Sequence, residues 1–593
     1  MNFSTTTRVA LILLTSAFVQ PVLAQDRVES KSDLRFDHFR DAKQLIAELK
    51  ALAAAHPELL TYVELGSSSF DRPMAALILN NPKTGLDTDK PAMYIDGNIH
   101  GNEVQAGETV LYSAWYLLEH YGKNDAITQL VDRSVFYFVP SVNPDGRQNW
   151  FDKLNTSHSA RTGQLPTDDD RDGVCDEDGP DDLNGDGSVG QMWRRDPTGA
   201  YRPSEQNPNE MEFITPVLKS DGTVLRGGWS SAGMEGIDND GDGLVNEDGS
   251  GGYDLNRNWP ADWHPEHVQN GAGDWPFSYP ESRAVGAFIR TRPNIAAGQA
   301  YHNAGGMILR GPGAASRESD YPPADRAVYE SIAKTGEDLL PGYRSMVIHS
   351  DLYPVRGGFV NYLAEGMGIV SFTNELWTEK RIMQNGQGPS KEQSKLFDEK
   401  LRFDATNMPF TKVMHPTHGE VLVGGDTKWA SRIPPSWMLE EECHRNFAFT
   451  MHHAGEMPRL RFADPVIKQL GPTLWQLDLE IMNDALIPSR TARAADKHIG
   501  MPDRLEVRVP QGARVVASGF KNGRFDLNFA EQLDTPSVLD CERGVPSRNT
   551  LFTRFLIEAP EGAAFDVQYR AEKATDRTQH GTLQETPKLS PTP

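Results

Sequence analysis

The run AMYIDGNI, residues 92–99, is apolar without regular polar alternation. That is the pattern of a strand covered on both faces. It stands in an alternating series. LTYVELG and MAALILNN before it read as strands, and EVQAGETVLYSAWYLLEHYG after it reads as a long helix closing at Gly122. SVFYFVPSVNPDG is a further strand ending in a Pro-Asp-Gly turn. Upstream, from Phe36, HFRDAKQLIAELKALAAAHPELL has helical spacing. Downstream, PESRAVGAFIRTR reads as helix, AAGQAYHNAGGMILRG and MGIVSFTNELW as strands, and SWMLEEECHRNFAFTMHHAG as a late helix ending near Gly455. Strands alternating with helices predict an α/β domain with its sheet between helix layers.

The alternation pauses between about 152 and 252, a stretch rich in Asp, Gly, Asn and Pro. A structureless stretch of that length inside a domain points to a function. After 456 the character changes to short alternating strands, TLWQLDLEIMN, DRLEVRVP, ARVVASG, TLFTRFLIEAP and AFDVQYRAE, the signature of an all-β sandwich. At the other end, Arg8, the apolar VALILLTSAFV and the small residues of PVLAQ form a signal peptide cut after Ala24. The expected organisation is a signal peptide at 1–24, a catalytic domain at 25–455 with Asp-rich inserts near 155–192 and 201–250, a β-sandwich at 456–575 and a loose tail at 576–593. Export to the periplasm or the extracellular space follows. No other segment is a transmembrane candidate, and a monomer is expected.

The formal net charge is −24. Residues 168–186 carry ten acids against Arg171, and 235–248 carry six acids and no base, so these two loops hold −15 of it. The charge is local, and with no basic face nucleic acid is excluded as a partner. Of the three cysteines, Cys443 and Cys541 could be linked in an oxidising compartment or be free buried thiols, and the spacing favours neither.

Two stretches carry a His and a Glu three apart, His100-Gly-Asn-Glu103 and His453-Ala-Gly-Glu456. The first lies between a strand and a helix, at the strand's carboxyl end, where open α/β sheets bind ligands. The second lies at a helix end with no strand to present it and reads as surface polar residues. A catalytic zinc takes three protein ligands and keeps a position for water. His302, in GQAYHNAGG, again ends an apolar strand and is the candidate third ligand.

HGNE and AYH, together with NPDG, QMWRRDP, DLNRNWP, YPVRGGFVNY and SFTNELW, follow in an order that resembles the zinc carboxypeptidase family, the fold of carboxypeptidases A and B, over residues 36–455. The resemblance implies a mixed twisted sheet between helix layers. It also implies zinc held by His100, Glu103 and His302, with Asp254 orienting the first His from behind. Glu375 would be the catalytic acid–base, and Arg194 the group beside the scissile carbonyl. Asn256 and Arg257 would grip the substrate's terminal carboxylate, Arg257 through its planar fork. Tyr353 would cap the substrate. Val360 would floor the side-chain pocket and favour apolar or neutral C-terminal residues. The implied activity is that of a zinc hydrolase, a metalloprotease removing C-terminal residues from peptides or proteins. The alternative is a zinc amidohydrolase of the same fold acting on cell-wall peptides.

The acidic loops carry oxygen ligands at positions one, three and five with Gly at six, the spacing of a calcium loop. The candidates are Asp168, Asp170 and Asp172 before Gly173; Asp182, Asn184 and Asp186 before Gly187; and Asp238, Asp240 and Asp242 before Gly243. Calcium is therefore a second expected cofactor, rigidifying loops that wall the cleft.

Overall fold

An eight-stranded sheet forms the centre of the first domain. In the computed structural model, residues 30–586 are described apart from 170, 206, 208, 250, 384–386 and 533. The expected signal peptide, Asp170 and residues 587–593 lie outside them. The strands are β1 (Leu60–Ser67), β2 (Pro73–Leu79), β3 (Ala92–Gly97), β4 (Val135–Val139), β5 (Ile295–Asn303), β6 (Met307–Arg310), β7 (Arg344–Val347) and β8 (Val370–Leu376). Their spatial order is β1-β2-β4-β3-β5-β8-β6-β7. The four central strands β4, β3, β5 and β8 are parallel, and antiparallel pairings join on both sides, so the sheet is mixed.

The helices around it include α1 (Ala42–Ala55), α2 (Val104–His120), α3 (Pro144–Asp152), α4 (Pro280–Arg290), α5 (Pro323–Leu339) and α6 (Ser436–Gly455). Met93, Ile95, Phe136 and Phe138 face a core shared with α1, α2, α5 and α6. Their alternate neighbours Ala92, Tyr94, Val135 and Tyr137 face a second core with Val285 and Ile289 of α4. Both faces are dry, which is why AMYIDGNI shows no polar alternation. Truncating the fully buried Phe138 to Ala would cost about 3–5 kcal/mol.

The first helix starts later than its spacing suggests. Asp41 caps it in a reciprocal box with Gln44, so residues 36–41 form a non-helical lead-in. Phe36 is nevertheless buried, and Arg40 pairs with the buried Glu108 of α2 at 2.6 Å. Arg147 of α3 meets the same carboxylate at 2.7 Å and donates to the Val104 carbonyl at 2.9 Å. This buried charged triad pins the first turn of α2, which begins just after Glu103. Removing one partner would leave a buried charge and cost roughly 3–5 kcal/mol.

The Asp-rich stretch is not structureless. Gln191–Arg195, Trp229–Met234, Tyr201–Pro203 and Met211–Phe213 join Asn407–His415 and Gly419–Asp426 in a second, six-stranded sheet. Short strands separated by acidic turns left no periodic signal.

From 460 onward, two antiparallel sheets pack around Trp475, Leu477, Phe555, Val567 and Tyr569. Within the tail expected to be loose, residues 576–586 are ordered instead. Ala574–Thr582 pairs with Ala564–Ala571, and the Thr586 N–H donates to the Ile467 carbonyl at 3.0 Å. Its alternate residues are exposed, as on an edge strand, so its polar composition hid it. The two domains are tied together. The Asp325 carboxylate accepts the N–H groups of Ala492 and Arg493 at 2.9 and 2.8 Å, and buried Lys573 donates to the Ile295 carbonyl at 2.6 Å. The three cysteines are free: Cys443 is buried on α6 against Thr109, and Cys541 is buried in the sandwich core. The Cys443–Cys541 link is absent because each thiol is packed into the core of its own domain.

Candidate active site

His100 and Glu103 sit on the turn from β3 into α2, and Glu103 occupies the N-cap position. Gly101 is what allows that turn. A Cβ there would lie 2.3 Å from the Gly146 carbonyl carbon and 2.4 Å from the Ala160 oxygen. The Gly101 N–H donates to the Arg161 carbonyl at 2.9 Å, so the turn itself holds the 160–161 segment. His302 ends β5, and the parallel register places it directly opposite Glu375 of β8. Three distant parts of the chain thus meet at the carboxyl edge of the sheet.

His100 Nδ1 lies 2.9 Å from Glu103 Oε1 and 3.2 Å from His302 Nδ1. His302 Nδ1 is 2.9 Å from Glu103 Oε2, yet that buried oxygen receives no hydrogen bond. The other nitrogen of His100, Nε2, faces Asp254 Oδ1 at 3.1 Å. All three side chains are buried, and each offers a ligand atom within 4.8 Å of the others. Two imidazole nitrogens meeting at contact distance beside an unsatisfied carboxylate oxygen make the protein donor set of a catalytic zinc. These residues fit the metal, and Asp254 fits the carboxylate that fixes the tautomer of His100.

The electrostatics divide the carboxylates. Burial works to raise Glu103, but the imidazoles of His100 and His302 overcome it and hold it well below the usual range. Asp254 is likewise held low, against burial, by His100 and Arg257. Glu375 goes the other way: burial first, then the Glu103 carboxylate, push it up to about 7. Carboxylates pushed apart in pKa take different roles in a site.

Arg194 is not there. It is exposed on the second sheet, opposite Ser230 and Val421. Its neighbours Met192 and Trp193 pack into small cores on that sheet, while Arg195 pairs with Glu420 at 3.2 Å. The motif's aromatic and basic residues are used to build the second sheet. The arginine beside the trio is Arg161. Its Nη1 lies 2.9 Å from Glu103 Oε1, and its charge is felt by Glu103, Asp254, Glu375 and Tyr353. Arg432 approaches the same Glu103 oxygen at 3.2 Å and also donates to the Asn303 carbonyl. Neither arginine lies in a segment with a telling pattern. The one signal for Arg161 was indirect: Gly101 and Gly146 both lack a Cβ where its segment passes.

Asn256 and Arg257 follow Asp254 directly. Asn256 Oδ1 accepts the Phe359 N–H at 2.9 Å, and the buried Arg257 donates to the Asn256 carbonyl at 2.8 Å. Gly357, with φ +61°, lets its loop close on Arg257, whose carbonyl oxygen would lie 2.2 Å from a Cβ there. Tyr353, at the start of that loop, is 48% exposed. Val360 is buried in an apolar cluster with Leu309, Met346, Ile348 and Val355. Beside Arg432 opens a cavity of about 570 Å³, lined in part by His158, Ala304, Trp377 and Thr378.

The second H-x-x-E is elsewhere, and its His is no surface residue. His453 is fully buried, with its ring edge-on to Phe372 at 5.2 Å, because α6 lies flat on the sheet. In the acidic loops, Gly173, Gly187 and Gly243 all take left-handed φ, and each N–H donates to the first Asp of its loop, at 3.2, 2.8 and 3.1 Å. Asp182, Asn184 and Asp186 form the middle loop. Asp238, Asp240 and Asp242 bring ligand atoms within 4.8 Å of one another.

Comparison with known proteins agrees with this geometry. The family described as zinc carboxypeptidase matches residues 45–175 and 211–400, and a domain family of unknown function matches 459–582. Carboxypeptidase D of Rattus norvegicus is 33% identical over 135 residues, 23% of this chain and 10% of that protein. Carboxypeptidase A2 of the same species is 32% identical over 127 residues, 21% of this chain and 29% of that protein. The alignments therefore span less than a third of either relative. The crystal structure of carboxypeptidase A from Helicoverpa armigera is 17% identical, covers 72% of this chain and 76% of its own, and superposes with a TM-score of 0.42.

Proposed function

The chain belongs to the zinc carboxypeptidase family, and on that premise we propose that it is a zinc-dependent carboxypeptidase hydrolysing the last peptide bond of peptides. One observation carries the reading: His100, Glu103 and His302 converge beside a buried, proton-accepting Glu375. Zinc held by that trio supplies Lewis acidity, polarising a carbonyl and acidifying water. The protein's own groups do the rest. Glu375 accepts the proton of the attacking water and returns it to the leaving amine. Arg161 faces the oxygen on which charge develops. Asn256 and Arg257 hold the terminal carboxylate, which restricts cleavage to chain ends. Tyr353, exposed on its loop, would cap the bound substrate. The apolar surroundings of Val360 favour apolar or neutral C-terminal side chains, and the cavity beside Arg432 has room for the substrate upstream of the bond.

Further parts of the reading rest on the sequence. The N-terminal 24 residues direct export, the enzyme acts as a monomer, and the Asp-rich loops hold calcium. The test is metal analysis with hydrolysis of N-blocked dipeptides, using Glu375→Gln as control. One zinc per chain and activity lost in the variant are expected; full activity in the variant would sink the mechanism. Cleavage of cell-wall peptides but no free-carboxylate dipeptide would transfer the reading to an amidohydrolase.

A further inference from the structure

Residues 168–179, DDDRDGVCDEDG, and 238–249, DNDGDGLVNEDG, are two copies of one twelve-residue pattern. Both have Asp at one, three and five, Gly at six, and Glu-Asp-Gly at ten to twelve. The copies face each other reciprocally. The eleventh residue of each is buried inside the other. Asp248 accepts the backbone N–H groups of Asp169 and Glu177, at 2.6 and 3.3 Å. Asp178 accepts the Asn246 N–H at 3.1 Å and the Asn239 side-chain amide at 3.0 Å. The Asp248 N–H donates to the Asp178 carbonyl at 3.2 Å. Asp178 is 0% and Asp248 1% exposed.

The tenth residues are the telling ones. All four carboxylate oxygens of Glu177 and Glu247 are shut off from solvent and receive no hydrogen bond. Each Glu faces the other copy's Asp, Glu177 against Asp248 and Glu247 against Asp178. Buried carboxylate oxygens without donors, aimed at other carboxylates, call for a cation. Asp178, Asp240 and Glu247 each bring a ligand atom within 4.8 Å of the others, a group drawn from both copies. The middle loop, 182–187, is closed differently: the buried Glu235 accepts the N–H groups of Leu183, Asn184 and Gly190 at 2.7, 3.2 and 3.1 Å, so both its oxygens already have donors, and Asn184 spends its amide on Asp186 and Thr411.

We propose that the two copies form one two-cation unit in which each loop lends its eleventh residue, Asp178 or Asp248, to the cation of the other, and that the middle loop binds none. This rests on the calcium reading above and narrows it. The ligands are hard carboxylate oxygens, the chemistry of Ca²⁺. Each cation site needs the other loop in place, so filling is coupled. The unit also joins two strands of chain that run to the active site. The Gly251 N–H donates to the Leu165 carbonyl and the Gly163 N–H to the Tyr253 carbonyl, both at 3.0 Å. One strand ends at Arg161 and the other at Asp254. Calcium would thus fix the separation of those two residues.

The test is calorimetric titration of the full chain with Ca²⁺, zinc kept saturated, for wild type, Asp178→Asn, Asp248→Asn and Asp186→Asn, with zinc content and circular dichroism checking the fold. Two equivalents are expected. Either buried-Asp variant should weaken binding at both sites by at least tenfold, while Asp186→Asn stays within twofold. Removing calcium should raise KM or lower kcat without releasing zinc. Two equivalents bound with wild-type affinity by Asp178→Asn and Asp248→Asn would overturn the exchange of ligands while leaving the loops as calcium sites. Three equivalents, one lost in Asp186→Asn, would overturn the assignment of two. No binding at millimolar Ca²⁺ would remove the calcium reading with it; the peptidase reading is judged separately, by hydrolysis in EGTA.

Discussion

His100-Gly-Asn-Glu103 and His453-Ala-Gly-Glu456 have the same ligand types at the same spacing, and the fold sends them to opposite fates. The first pair rides a turn at the carboxyl end of a central strand, where His302 and Asp254 reach it from other parts of the chain. The second closes a helix. His453 is swallowed by the core against Phe372, and Glu456 accepts the Leu486 N–H at 2.8 Å and pairs with Arg548 at 3.2 Å. A metal site is therefore made by the third ligand, brought by the sheet register, and not by the pair.

The sharpest way to break the comparison is to remove one histidine from each region. His302→Ala should lose its zinc by elemental analysis and all measurable hydrolysis, whereas His453→Gln should keep one zinc per chain. Equal losses would mean that the pairs are not distinguished as argued. The arginines offer the next contrast. Arg161→Ala should lower kcat by about 10²–10³, and Arg194→Ala should stay within about threefold, both read on N-blocked dipeptides. A reversal would return Arg194 to the site.

The glycines within the two stretches come third. Gly101→Ala drives a Cβ into backbone and should cost up to about 3 kcal/mol by urea unfolding. Gly455 has nothing within 4 Å of its would-be Cβ and lies in a helix, so Gly455→Ala should be neutral or stabilise by up to about 1 kcal/mol. The fourth contrast is pH. Burial, with His452 behind it, lowers His453 to about 3, so the folded protein keeps this imidazole neutral while the unfolded chain protonates it near the ordinary imidazole value of 6.5. The unfolded state then binds more protons, and stability is lost as pH falls below that value. Between pH 6.5 and 5 the wild type should lose about 2 kcal/mol that His453→Gln does not. Parallel curves for the two proteins would show that His453 titrates freely.

Much of this was legible in the chain. The dry central strands, the turn at HGNE and the strand end at His302 follow from apolar runs and their punctuation, and Glu375 from the family resemblance of SFTNELW. The late β-domain follows from its alternation. What stayed hidden has a common physical character. The segment of Arg161 is held by a backbone hydrogen bond from the Gly101 N–H to the Arg161 carbonyl, and a carbonyl leaves no mark in a sequence. The second sheet is assembled from strands as short as three residues, below the length at which periodicity can be read. The edge strand at Ala574–Thr582 looked like a tail because one of its faces meets water.

By itself the sequence determined which residue types stand at the ends of strands, since local sterics and hydrophobic pattern act over a few residues. Only the tertiary structure decided which of them meet. Bringing Glu103, Arg161, Asp254, His302, Glu375 and Arg432 together depends on parallel register and on loop closures spanning more than three hundred residues. Those are set by the packing of the two cores around the sheet, a property of the whole chain that no single stretch contains.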